Sequence, residues 1–148
     1  MKKIAAMSLA LALLAGCSVP QVGWDQDAVM VVENAEVKLT SNLWLNKMPT
    51  IGELQEQNLH GALYLESAKP LPADLDIVSV SLRQGDDVWQ LEGDDLEIRT
   101  HSEQQWEIVF AWQFELQPNQ AVDVAVQLDH QQQRNWLVEK QVVIDTVY

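Results

Sequence analysis

From Trp106 to Leu116 a bulky apolar side chain stands at every second position: Trp106, Ile108, Phe110, Trp112, Phe114 and Leu116, interleaved with Glu107, Val109, Ala111, Gln113 and Glu115. A period of two sends alternate side chains to one face of an extended strand. The run therefore predicts a long strand that fills much of a core, with Trp106 and Trp112 inside. Val122, Val124, Val126 and Leu128 repeat the pattern against Asp123, Ala125 and Gln127, and Val78, Val80 and Leu82 repeat it against Ser79 and Ser81. Further strands are predicted over Met30–Glu33, Val37–Asn46, His60–Ser67, Val88–Leu91, Leu96–Thr100 and Trp136–Thr146. In the last of these Lys140 falls in the inward register, which predicts a β-bulge or an exposed strand end. The segment Ile51–Asn58, after Pro49-Thr50, fits one or two helical turns capped by Thr50 and Glu53, or an irregular loop. About seven to nine short strands over roughly 120 residues describe an all-β protein, an antiparallel β-sandwich.

The N-terminus breaks this pattern. Lys2 and Lys3 precede an uncharged, mostly apolar run from Ile4 to Ala15, too short for a bilayer crossing of roughly 20 residues and laid out as a secretory signal peptide. It ends in Leu14-Ala15-Gly16-Cys17, which resembles the lipobox of bacterial lipoproteins. The resemblance implies cleavage between Gly16 and Cys17, lipidation of Cys17, and attachment to the membrane without a transmembrane helix. Ser18 stands where inner-membrane retention signals carry Asp, so the resemblance implies the outer membrane, facing the periplasm. The chain then divides into a signal peptide (1–16), a lipidated Cys with a flexible tether (17–26, containing Pro20 and Gly23), and a β-sandwich domain (27–148).

A second likeness lies in the domain. Leu116-Gln117-Pro118 through Val122-Asp123-Val124-Ala125-Val126 resembles the L-x-P-x-x-x-Y-x-V-x-V passage of fibronectin type III and related immunoglobulin-like sandwiches, with Val122 in place of the corner Tyr. It implies an immunoglobulin-like arrangement of the strands. Gly61 through Leu71-Pro72, the strand to Leu82, and Phe114-Glu115-Leu116 are similar to small lipoproteins of the pilotin type.

Composition narrows the function. The 148 residues hold 22 acidic and 9 basic side chains, a formal charge of −13. Loss of Lys2 and Lys3 with the leader leaves 22 against 7, or −15. Nucleic acid is excluded as a partner, because phosphate binding needs clustered Lys and Arg. Cys17, the sole Cys, excludes an internal disulfide and a Cys-based metal cluster. No G-x-S-x-G elbow or Gly-rich phosphate loop is present, so no enzyme activity and no cofactor are expected. His60, His101 and His130 are widely spaced and are expected to be solvated loop residues, with no metal site. The repeat QGDDVWQLEGDD places Asp86, Asp87 and Asp94, Asp95 in two Gly-Asp turns at opposite ends of a short strand, as plain turns or as one weak Ca²⁺ loop.

Six Trp exceed what a small sandwich core needs. Leu43 and Leu45 flank Trp44, so if they face inward Trp44 faces out, and Val88 and Trp89 cannot both be inside. Trp44 and Trp89 are the candidate binding face. The expected function is a non-enzymatic, protein-binding or envelope-assembly lipoprotein with an envelope protein as partner. The alternative is a carbohydrate-binding lipoprotein that touches peptidoglycan or polysaccharide through exposed Trp.

Overall fold

A computed structural model of the protein describes residues 22–46, 59–113 and 116–147. The expected signal peptide (1–16), Cys17 and the segment Ile51–Asn58 lie outside the described residues. Those described form ten strands: β1 (Val29–Val32), β2 (Ala35–Asn46), β3 (Leu59–Ser67), β4 (Asp76–Gln84), β5 (Asp87–Glu92), β6 (Glu97–Ser102), β7 (Gln105–Trp112), β8 (Val122–His130), β9 (Gln133–Val142) and β10 (Ile144–Val147). A 3-10 turn, Gly93–Asp95, joins β5 to β6. The strands make two sheets. Sheet A runs β1-β2-β3-β7-β6, with β10 also on β2, and sheet B runs β5-β4-β8-β9. All neighbours are antiparallel except β10, which runs parallel to β2. The alternation of apolar residues is therefore that of two sheets facing each other across one core.

The inner faces meet through Leu39, Leu43, Leu63, Leu65 and Ile108 of sheet A and Val80, Leu82, Val124, Val126 and Leu137 of sheet B, all without solvent exposure. Each such burial contributes roughly 1.5–3 kcal/mol. Gly61 lies opposite Phe110 on β7, and the Phe110 ring fills the space where a side chain at 61 would stand.

The register corrects the expectation for Trp112. The strand that was expected to run to Leu116 ends at Trp112, and Trp112 is 45% exposed. It pairs with Leu59, the first residue of β3, so it stands at the end of the β3–β7 ladder. Trp106 and Leu116 pack against the core with partial exposure. Phe114 and Glu115 lie outside the described residues.

At Lys140 the expected bulge is present. Val124 pairs with Glu139 while Val122 pairs with Val142, so β9 carries one extra residue, and Gln141 adopts φ 57. Asp123 holds this bulge: its Oδ1 accepts the Gln141 N–H at 3.0 Å, and its Oδ2 accepts Arg83 Nη2 at 2.7 Å and Nε at 3.0 Å. After Val143 the chain crosses from sheet B to sheet A as β10.

The first described residues pack against the domain. The Trp24 ring stacks 4.3 Å from the Arg83 guanidinium, Gly23 abuts Trp136, and the Asp27 carbonyl accepts the Val138 N–H at 3.0 Å. Residues 22–26, assigned by composition to the tether, thus lie against sheet B.

Candidate protein-binding groove

Long strands expose a row of backbone donors and acceptors at their edges, and folded proteins cover or blunt these. Here the outer edge of β2 is covered throughout. β1 pairs with Ala35–Lys38, Leu39 N–H donates to Ala28 O at 2.8 Å, Ser41 N–H donates to Glu139 Oε1 at 3.0 Å, and β10 pairs with Leu43–Asn46. At the far side of the same sheet β6 pairs with β7, and no described strand pairs with its other edge. Every residue of β6 is exposed.

The inner face of β6 is open as well. Ile98 pairs with the buried Ile108, and Thr100 with Trp106, so Ile98 and Thr100 point toward the sandwich interior. The strand that would cover them, β5, pairs only with Ser79–Gln84 of β4. The first residues of β4 lack that neighbour, and a register shift between Ile77 and Ser79 bends the strand there. The result is a cleft of about 310 Å³ lined by Leu75, Asp76, Ile77, Ile98, Thr100 and Trp106. Four of these six residues are apolar, Asp76 and Thr100 are polar, and Ile98 is 44% exposed.

On the outer face of sheet A, beside β6, polar side chains form a connected set. His101 Nε2 lies 2.8 Å from Glu107 Oε1, and the Tyr64 hydroxyl also bonds to Glu107. The His101 hydrogen bond, and after it the Tyr64 hydrogen bond, hold the Glu107 carboxyl below its ordinary value. The bond to Glu107, with burial second, raises the Tyr64 hydroxyl above its own. A lowered carboxyl stabilises the fold fully above the ordinary carboxylate pKa, and that stabilisation is lost as pH falls through the native value. A raised phenol stabilises it below pH 10, and that is lost as pH rises through the native value. Urea midpoints measured from about pH 2 to about pH 6 should therefore fall more steeply on the acid side for the natural protein than for Glu107→Gln. Equal slopes would show that Glu107 carries none of the acid limb.

The residues singled out in the sequence are dispersed. Leu43 and Leu45 are buried and Trp44 faces outward from sheet A, stacked on His60 with ring centroids 5.6 Å apart. Trp89 packs against the core from sheet B while Val88 takes the exposed side at 46%. Trp44 and Trp89 thus belong to different sheets and form no common platform. Gly85 and Asp86 form the β4–β5 turn, in which Gly85 takes φ 60, the position where a tight hairpin turn favours glycine, and Asp87 opens β5. Asp94 and Asp95 lie in the 3-10 turn at the other end of β5. Neither pair joins a third carboxylate or His in a group able to hold a cation, among the described residues.

The histidines depart from expectation: all three lie in strands, and each has a partner. His101 bonds Glu107, His60 stacks on Trp44, and the His130 side chain is only 12% exposed, beside Glu33 and Asp74. They were expected in loops because strand ends are hard to place from sequence, and each falls near one. Ile98 and Trp106, the apolar walls of the cleft, are read from sequence as ordinary inward strand positions, and nothing in the chain signals that β5 stops short of them. Comparison with protein-family models, with curated proteins and with solved structures finds no match. The fold defines the class: an all-β protein of two facing sheets, with a cleft beside β6 among the described residues.

Proposed function

We propose that the chain is an outer-membrane lipoprotein, anchored through Cys17, whose immunoglobulin-like domain binds an envelope protein in the periplasm at the β6 groove, without catalysis. The observation that carries this reading is the inner face of β6, where Ile98, Ile77 and Trp106 line a cleft beside a strand edge that no described strand pairs with. An extended segment of a partner can add to such an edge by main-chain hydrogen bonds and set alternate side chains into the adjoining cleft. A charge of −15 on the processed chain selects a partner with a basic surface and speeds their encounter. The immunoglobulin-like assignment draws support from the strand order: β2-β3-β7-β6 against β5-β4-β8-β9 corresponds to A-B-E-D against C′-C-F-G. The lipid anchor draws support from the basic start, the apolar run and Leu14-Ala15-Gly16-Cys17.

A photo-crosslinking residue at position 98 of the full chain, expressed in the cell that makes it, tests both parts. The expected result is one discrete adduct in the membrane fraction, lost when Ile77→Asp is added and reduced when Cys17→Ala moves the protein to the soluble fraction. No adduct at 98 would overturn the groove, and unchanged membrane partitioning of Cys17→Ala would overturn the anchor.

A further inference from the structure

Two hairpins meet at one end of the sandwich. Glu33 and Asn34 form the two-residue turn between β1 and β2, with φ 48 and 65, and Gln131 and Gln132 form the turn between β8 and β9, with φ 53 and 66. Both follow the geometry of a type I′ hairpin. Gln131 Nε2 reaches Glu33 Oε1 at 3.3 Å, which brings the two tips together. The third component is the loop from β3 to β4, where the Leu75 N–H donates to Pro72 O at 3.1 Å and so fixes Asp74 in a turn. His130 closes β8 beneath these tips. Its Nε2 lies 3.1 Å from Asp74 Oδ1 and 3.4 Å from Glu33 Oε1, and one ligand atom from each of the three residues lies within 4.8 Å of the others.

The His130 ring nitrogen is the telling atom. It is buried, its side chain is 12% exposed, and neither carboxylate meets it in hydrogen-bond geometry. The two carboxylates are more than half exposed, so they can pivot about a guest, while the imidazole is held by the strand. The ring nitrogen is aimed at the two carboxylates. A divalent cation seated among them accepts all three donors and cancels the two negative charges. One nitrogen and two oxygen ligands, with water in a fourth position, suit Zn²⁺, and affinity for such a set rises from Mn²⁺ to Zn²⁺.

We propose that Glu33, Asp74 and His130 form a divalent-cation site that ties the β1–β2 hairpin, the β3–β4 loop and the β8–β9 hairpin together. Spacing along the chain conceals it, because the three ligands come from two separate turns and the end of a strand. The test is calorimetric titration of the chelator-treated full chain with Zn²⁺, in a background of Cys17→Ser, which removes the one thiol. Saturable binding of one equivalent is expected, with Mn²⁺ weaker. Loss of one ligand should weaken Zn²⁺ at least as much as loss of an outer-shell support does, about 10–100-fold, in each of Glu33→Gln, Asp74→Asn and His130→Gln. Zn²⁺ should also raise the thermal midpoint of the parent chain and leave that of Asp74→Asn unmoved. Glu33 and Asp74 are exposed enough for their variants to keep the fold, so the result does not depend on His130→Gln folding. Absence of saturable binding, or equal binding by the parent, Glu33→Gln and Asp74→Asn, would reduce the cluster to an ion pair and overturn the proposal.

Discussion

Replacing Gly61 with alanine should destabilise the domain by about 2 kcal/mol, and replacing it with valine should cost about 3 kcal/mol or more. A Cβ at this position would stand 2.2 Å from Phe110 Cζ and 2.5 and 2.7 Å from the neighbouring ring carbons, well inside van der Waals contact. The ring has nowhere to go: Phe110 is 3% exposed and lies among the leucines of both sheets. Glycine to alanine in a strand would otherwise stabilise by about 0.4–1 kcal/mol through the unfolded chain, so the expected loss is net of that gain. Urea unfolding followed by Trp fluorescence measures it. A second substitution separates a steric cause from a conformational one. Phe110→Leu removes the outer ring atoms, so the double variant should be more stable than the two single losses summed, by about 1 kcal/mol or more. Strict additivity would mean that the ring does not set the requirement for glycine. The pairing also explains why an interior strand tolerates glycine: the cross-strand aromatic covers the backbone that glycine leaves bare.

Much of the fold was legible because period-two alternation survives wherever one face of a strand is buried. The strands around Val37–Asn46, His60–Ser67 and Val122–Leu128 stand close to where alternation puts them, and the inward Lys140 announced the bulge. What was hidden depends on the partner across the core. Trp112 continues its inward row without a break, and only the end of β7 at that residue accompanies its exposure. Val88 and Trp89 were known to oppose each other, but which of them faced inward awaited the pairing of Trp89 with Leu82. Gln84 gives no sequence signal, yet it is 7% exposed and its side chain bonds the 117–120 turn at three points: Gln117 O, Gln120 O and the Gln117 N–H. The groove was least legible, since it arises from the shortness of β5 and not from any motif.

Asp123→Ala should cost about 2 kcal/mol and should loosen both ends of the chain together. One carboxylate serves two purposes here. Its Oδ2 takes both the Nε and Nη2 hydrogen bonds of Arg83, in a pair whose side chains are 31% and 22% exposed, too sheltered for the near-zero value of a surface ion pair. Its Oδ1 satisfies the Gln141 N–H, which the bulge has taken out of the ladder. Removal strips the guanidinium on which Trp24 rests and leaves the bulge amide without its acceptor. Asp123→Asn, which keeps a carbonyl oxygen for Gln141 but loses the charge, should cost about half as much. Hydrogen exchange distinguishes the two roles. In Asp123→Ala the amides of β10 should exchange faster, because the bulge aims the chain across to sheet A, whereas in Asp123→Asn they should stay protected. The Trp24 emission should shift in both variants. Unchanged β10 protection in the alanine variant would mean that the crossing is set by Ile144 and its pairing with Leu43 alone. If the expected pattern holds, one residue couples the point where the chain enters the domain to the strand that closes it. That coupling makes the end of the sandwich where Trp24 meets Arg83 its rigid end, away from the cleft beside β6.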